Sequence, residues 1–369
     1  MKPIDDTFHF TVGNTQFDDK FNAMQKNIQS GDPIRLESPA SYNNYDFSNE
    51  PHESFDEILK QEAEKIRDSY KTVRVYYSGG CDSKLMLETF VKNNIHIDEI
   101  IVARSGIVEA DFEQNDYALP FLKSLHLPNT QITIKTHSPE DYYKFHSMPM
   151  EEKISKKIIT WDTHFRLGMQ DEFYREELFD PDIANVHGYD KPRIVKENDQ
   201  WYTYWMDYAI EPTSHVYQFY SVNPTLHCKQ AHMFANALES NKSKTYYSGS
   251  DYRILQDAST GRDTENVPKK TKFGSDSDYL EYKNKKIYYA NYREKLALTY
   301  AVKNLPVAID NWIDGLEYLQ RYTNNNWWNN NCPELGTIGV FSKFYCLSTH
   351  NTSTLDELFP NNSIFMRNN

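Results

Sequence analysis

The chain has 369 residues, 39% of them apolar and 14% aromatic, so it can bury a sizeable core and is long enough for two domains or for one domain with a large appendage. Forty Lys and Arg against 53 Asp and Glu leave a formal charge of −13, which disfavours duplex nucleic acid as a partner because the averaged surface repels a phosphate backbone. Cys81, Cys228, Cys332 and Cys346 form no CxxC pair, no run approaches the roughly 18 apolar residues of a membrane span, and the start has no basic segment ahead of an apolar one; the expectation is a cytoplasmic protein with free thiols and no membrane partner.

Residues 1–53 are rich in Asn, Asp, Ser and Pro with few periodic apolar positions, and are expected to form an irregular N-terminal extension. At Ser54 the pattern changes. Phe55, Ile58, Leu59, Ala63 and Ile66 recur at helical spacing, with Ser54 as cap and Glu57 completing a capping box. Residues 73–77 are β-branched and aromatic and read as a strand, SGGCDS (78–83) follows as a turn, and Leu85, Met86, Thr89 and Phe90 begin a second amphipathic helix. Strands at 98–103 and 131–135 then flank a helix over 111–125, an alternation that predicts βαβ crossovers and a parallel sheet. A helix is expected over 162–179, a strand over 183–187, a hairpin over 195–206 around Asn198-Asp199, and an amphipathic helix over 226–238. The polar stretch 259–286 is expected to be a loop or lid, with helices at 293–300 and 308–322. The expected organisation is an extension (1–53), an α/β domain (54–245) and a helical C-terminal region (246–369) that covers the cleft.

The segment with chemical content is VRVYYSGGCDSKLMLETF (73–90). A strand ends in two glycines and runs directly into a helix, which aims the unpaired amides of a helix N-terminus at whatever lies beyond the strand and favours an anion there. Gly79 and Gly80 let backbone approach ligand oxygens, and Ser78 and Ser83 offer hydroxyls. Asp82 beside a polyanion calls for a divalent cation between them, and a carboxylate is a suitable partial ligand for Mg²⁺ shared with phosphate oxygens. Neither GxxxxGK[ST] nor GxGxxG occurs in the chain.

SGGCDS after a buried strand resembles the SGGxDS signature of the PP-loop ATP pyrophosphatases, the adenine nucleotide alpha-hydrolase-like superfamily. HGYDKPR (187–193) with KQAH (229–232) resembles a phage-encoded branch of it, akin to the asparagine synthetase C-terminal domain and the sulfonucleotide reductases. The resemblance implies a doubly wound, Rossmann-like parallel sheet of the HUP type and cleavage of ATP to AMP and pyrophosphate, with adenylation of an acceptor oxygen before a nucleophile displaces AMP. It implies that Ser78, Gly79, Gly80, Cys81, Asp82 and Ser83 hold pyrophosphate and Mg²⁺, and that Val102 and Ala103 on the next strand lie beside the adenine. Lys343 resembles a late lysine that stabilises the transition state in amide-forming members.

Lys191 and Arg193, just past a strand end, are candidates for neutralising departing pyrophosphate. Lys229 and His232 are candidates for phosphate or substrate contact, while Cys228 and His232 alone make too small a set for a metal. Trp161, Asp162, His164 and Arg166 either line the cleft or start a helix. No N-terminal cysteine or GxCxG elbow supplies a glutaminase. The expected function is an AMP-forming synthetase, or a nucleotide- or nucleobase-modifying enzyme, using ATP and Mg²⁺ on a small-molecule or nucleotide acceptor, in the host cytoplasm if phage-encoded and open to homodimerisation. Two alternatives stay open: a sulfonucleotide reductase, which would depend on Cys332 or Cys346, and a non-catalytic nucleotide sensor.

Overall fold

The computed structural model describes residues 8–17, 20–104, 111, 113–136, 180–188, 192–197, 199–205, 216–221, 223–240 and 342–358. Three sheets account for its strands. The first is N-terminal: β1 (His9–Val12), β2 (Thr15–Phe17) and β3 (Ile34–Glu37) pair antiparallel in the order β2-β1-β3, with α1 (Lys20–Ser30) against them and α2 (Ala40–Asn43) following. The expected irregular extension is therefore corrected. Phe8, Phe10 and Val12 alternate inward, as do Ile34 and Leu36 less completely, but runs this short carry little periodic signal, and the polar residues that mask them sit in turns.

Helix α3 (Phe55–Ser69) starts where the sequence places it. Ser54 Oγ accepts from the Glu57 N–H at 3.2 Å, and Glu57 Oε2 accepts from the Ser54 N–H at 2.7 Å, which closes the capping box. Strand β4 (Thr72–Tyr76), α4 (Cys81–Lys92) and β5 (Glu99–Arg104) follow. A π-helical turn (Glu113–Ala118) runs into α5 (Leu119–Ser124), which replaces the single helix expected there, and leads to β6 (Gln131–Thr136). Next come β7 (Ile183–His187), β8 (Arg193–Glu197), β9 (Gln200–Tyr204), β10 (Val216–Gln218) and α6 (Pro224–Ser240), and then β11 (Phe344–Cys346), β12 (Thr352–Ser353) and α7 (Leu355–Leu358).

The second sheet is five-stranded and parallel throughout, in the order β10-β7-β4-β5-β6, so the protein is α/β. From β4 the chain steps outward through β5 and β6 on one side and through β7 and β10 on the other. The boundary between β4 and β7 is thus a topological switch point, where open α/β sheets leave a crevice at their carboxyl edge. The third sheet, β12-β11-β9-β8, is antiparallel and joins the expected hairpin, which turns through Asp199 at φ +61°, to strands more than a hundred residues later. This pairing ties the C-terminal region to chain that the sequence assigns to the α/β domain. The expected helices at 162–179, 293–300 and 308–322 and the expected lid at 259–286 lie outside the described residues.

The two faces of the parallel sheet differ in character. Val73 and Val75, Ile100 and Val102, Ala184 and Val186, and Tyr217 share one apolar face that packs with α3 and α4. The opposite face carries Arg74, Glu99, Asn185, His187 and Gln218, in register across adjacent strands. Arg74 Nε donates to Glu99 Oε2 at 2.6 Å, and Thr133 Oγ1 donates to Glu99 Oε1 at 2.6 Å, so the charges on this face meet partners where burial would otherwise penalise them. Glu62, fully buried in α3, accepts from the Tyr217 hydroxyl and from Asn223 Nδ2, fastening α3 to β10 and to the start of α6.

The capping box fixes the start of the helix that supports β4. Ser54→Ala is expected to lower the unfolding free energy by about 1 kcal/mol, read as a reduced urea midpoint at unchanged slope.

Candidate functional site

The site begins where β4 ends. The Tyr77 N–H donates to the Ile101 carbonyl at 2.9 Å, the last backbone bond joining this chain to β5. Gly79 then turns the backbone through φ +88°, a conformation in which a Cβ is strained, and Gly80 stands as the N-cap of α4 at φ −68°. Gly80 has no side chain with which to cap, so no side-chain oxygen at that position serves the amides of the first turn, and the first intrahelical bond runs from the Lys84 N–H to the Gly80 carbonyl at 3.0 Å.

The two serines shape this loop from within. Ser83 Oγ accepts from the Ser78 N–H at 3.3 Å, donates to the Gly80 carbonyl at 3.2 Å and lies 3.0 Å from Ser78 Oγ. Ser78 Oγ in turn accepts from the Gly80 N–H at 3.3 Å. Their hydroxyls hold the curve of the loop, where the sequence suggests donors for a ligand. Asp82 sits in the first turn of α4, so its carboxylate stands at the positive end of the helix.

Strand β7 closes on the same turn. A Cβ built on Gly188 would lie 2.8 Å from Ser83 Cα and 2.9 Å from the Asp82 carbonyl oxygen, both backbone atoms that cannot swing away. From β10's exit, the Tyr220 hydroxyl donates to that same carbonyl at 2.8 Å. The first turn of α4 is therefore held by its own loop, by Gly188 and by Tyr220. His187 stacks on Tyr76 with ring centroids 4.1 Å apart and 20° between planes, and burial pushes its imidazole down to about 3, so it is neutral at physiological pH.

The other residues singled out by sequence fall in several places. Val102 turns its side chain into the apolar core, while Val102 and Ala103 run past the point where β4 stops pairing, against Ile134 and Lys135 of β6. Arg193 opens β8 in the third sheet, paired with Tyr204, and so belongs to a strand instead of a loop at the parallel edge. Lys191 lies outside the described residues, as do Trp161, Asp162, His164 and Arg166, and the side chain of Cys81 is outside them too. Lys229 Nζ pairs with Glu50 at 2.8 Å and donates to the Pro51 carbonyl at 3.0 Å; His232 Nε2 lies 2.9 Å from the Phe47 carbonyl oxygen. These two bind α6 to the N-terminal segment, and none of the contacts described for them is to the loop. Lys343 Nζ donates to Asn43 Oδ1 at 3.3 Å, beside α2. Cys346 is buried in β11 with Sγ 3.3 Å from Ser348 Oγ, and Cys332 lies outside the described residues.

His187, Gly188, Tyr220 and Gln218 are the site residues whose part sequence reasoning misses in whole or in detail. HGY after a strand draws attention to His187 and Gly188, but the approach of Gly188 to α4 has no local signature. No group of three or more His, Cys, Asp or Glu able to hold a metal occurs among the described residues, and no described helix is long and apolar enough to cross a membrane. No protein-family model matches the chain, and no curated protein or solved structure matches it.

Gly188→Ala is expected to cost about 1–3 kcal/mol of stability through overpacking against the α4 backbone, with amide chemical-shift changes concentrated at residues 81–84. An unchanged urea midpoint would contradict the close approach.

Proposed function

We propose that the chain is an ATP-dependent, AMP-forming enzyme of the PP-loop type, binding ATP at the carboxyl edge of the parallel sheet with its β and γ phosphates in the loop 78–83. The observation that carries this reading is the junction itself. A glycine at positive φ leads into a helix whose N-cap is a second glycine, at the switch point of a parallel sheet and within the motif SGGCDS. An ordinary strand-to-helix turn would be served by a Ser or Asp cap and needs no left-handed glycine; an anion-binding turn needs both the bare amides and the room. The sheet order, with its reversal at β4, supports a doubly wound arrangement of the HUP type.

In this mechanism an acceptor oxygen attacks the ATP α-phosphorus, the α–β phosphoanhydride bond breaks, and its electron pair leaves on pyrophosphate. A nucleophile then adds to the adenylated carbon and AMP departs. Mg²⁺, if bound, would neutralise phosphate charge, and Asp82 in the first turn of α4 is the described carboxylate that would hold it. The amides of residues 81–83 stabilise the charge that grows on pyrophosphate, and the Ser78–Ser83 contacts keep them aimed without reorganisation. On this reading adenine is recognised by backbone groups of Val102 and Ala103, and the fact that β4 stops pairing with β5 at Ile101 supports it. The rigid turn supplies positioning, the main contribution a protein can make to phosphoryl chemistry of this kind.

The expected result with Mg²⁺, ATP and a metabolite and nucleoside extract is AMP plus pyrophosphate, with Asp82→Ala lowering the rate by about a hundredfold or more, equivalent to about 2.7 kcal/mol of transition-state stabilisation. ADP plus phosphate would overturn the α-phosphorus mechanism. Tight ATP binding without turnover would favour the sensor, and thiol-dependent reduction lost on replacing Cys346 would favour the reductase.

A further inference from the structure

The carboxyl end of the polar face carries a second feature that the nucleotide site does not use. Tyr76, His187 and Gln218 are the last residues of β4, β7 and β10, and the register sets them side by side in one row. Asn185 stands one position back on the same face. Asn185, His187 and Gln218 are 1%, 7% and 4% exposed, yet Asn185 Nδ2, His187 Nε2 and Gln218 Nε2 have no hydrogen-bond partner among the described residues. Native interiors rarely leave even one such atom unmet, and three on adjacent positions call for a common partner.

The polarity of that partner follows from what is already bonded. Asn185 Oδ1 accepts from Arg74 Nη1 at 3.3 Å and Gln218 Oε1 accepts from the Ser221 hydroxyl at 3.2 Å, so both amide groups are oriented with NH₂ as the open end. The imidazole of His187 is uncharged and can donate or accept at Nε2 according to its tautomer. Arg74 is paired with Glu99, so the cation that this face presents among the described residues is already balanced by a carboxylate. A carboxylate placed here would be desolvated among neutral donors beside a guanidinium already balanced by Glu99, a costly arrangement, whereas a neutral carbonyl would receive two N–H donors at little electrostatic cost. Strand geometry sets His187 and Gln218 about 5 Å apart across the strands, Asn185 and His187 about 7 Å apart along β7, and Asn185 and Gln218 about 8 Å apart on the diagonal, a span that the two carboxamide side chains can close on one planar group.

We propose that Asn185, His187 and Gln218 form the acceptor subsite and bind a neutral planar amide or lactam, its C=O taken by the two carboxamide NH₂ groups and its N–H or ring nitrogen facing His187 Nε2. The subsite lies one residue from Gly188, and Gly188 touches the first turn of α4, so an acceptor held here borders the phosphate loop. This inference rests on the adenylation reading for its meaning as an acceptor site, and it selects a carbonyl oxygen over a carboxylate as the nucleophile toward the α-phosphorus.

The test uses the full chain labelled with ¹⁵N-histidine and no nucleotide, so that it reads the subsite independently of ATP chemistry. Uracil and acetamide are titrated as neutral probes and acetate as the anionic one, and the His187 ring ¹⁵N resonances are followed. The expected result is a saturable shift of Nε2 with the neutral probes, none with acetate, and loss of the response in the near-isosteric Gln218→Glu, whose unchanged His227 resonances report retained packing. A response to acetate instead overturns the neutral-carbonyl assignment. No response to either neutral probe up to its solubility limit, with Nε2 already hydrogen-bonded in the free protein, overturns the subsite in favour of buried water. A positive titration in a protein that makes ADP in place of AMP would leave the subsite standing while the adenylation reading falls.

Discussion

The site depends first on the contact between the exit of β7 and the first turn of α4. Gly188 has no Cβ, and the space one would fill is already taken by Ser83 Cα and the Asp82 carbonyl. The separation of β4 and β7 at the switch point, the pitch of α4 and the aim of its first amides all depend on that approach. The Tyr220 hydroxyl on the Asp82 carbonyl fixes the same turn from the β10 side. Three restraints on one turn fix the direction of the helix dipole and of the first-turn amides, which is the preorganisation that the proposed phosphate binding calls for.

The restraint extends beyond the parallel sheet. Tyr42 of α2 donates to the Ser221 carbonyl at 2.8 Å and accepts from Trp205 Nε1 at 3.3 Å, and Ser221 holds the Gln218 side chain. The second core, which includes Phe10, Tyr42, Phe47, Trp205 and Tyr345, therefore abuts the polar row at the carboxyl edge through a short chain of hydrogen bonds. His227 lies within it, with Nε2 2.6 Å from Thr203 Oγ1 and its ring neutral because burial penalises the charged form. Segments distant in sequence thus converge behind the site, and the N-terminal sheet serves as part of its support.

Much of this was legible in the chain and some was not, for reasons that differ residue by residue. The start of α3 could be read from Ser54 and Glu57 because a capping box is local, and the β4–α4 junction from SGGCDS because glycines and helix caps act over a few residues. The hairpin at Asp199 was visible for the same reason. The polar face of the sheet was hidden: in TVRVY a single Arg between valines reads as noise in an apolar strand, and only the register with Glu99 and Asn185 shows a continuous polar row. The pairing of β9 with β11 and the approach of Gly188 to α4 depend on chain far away in sequence, which local periodicity does not encode. Lys229 and His232 are candidates for phosphate or substrate contact by residue type, but residue type does not say which neighbour they meet, and here it is the 47–51 segment.

In the proposed function the loop and first turn at 78–84 bind the phosphates of a nucleotide. Amide hydrogen exchange with and without Mg²⁺-pyrophosphate reads the backbone donors themselves and needs no acceptor. Slowed exchange is expected in the peptide spanning 78–84, saturating with ligand and absent with Mg²⁺ alone. Exchange unchanged there at saturating pyrophosphate and ATP, or protection only at a site remote from the loop, would contradict it.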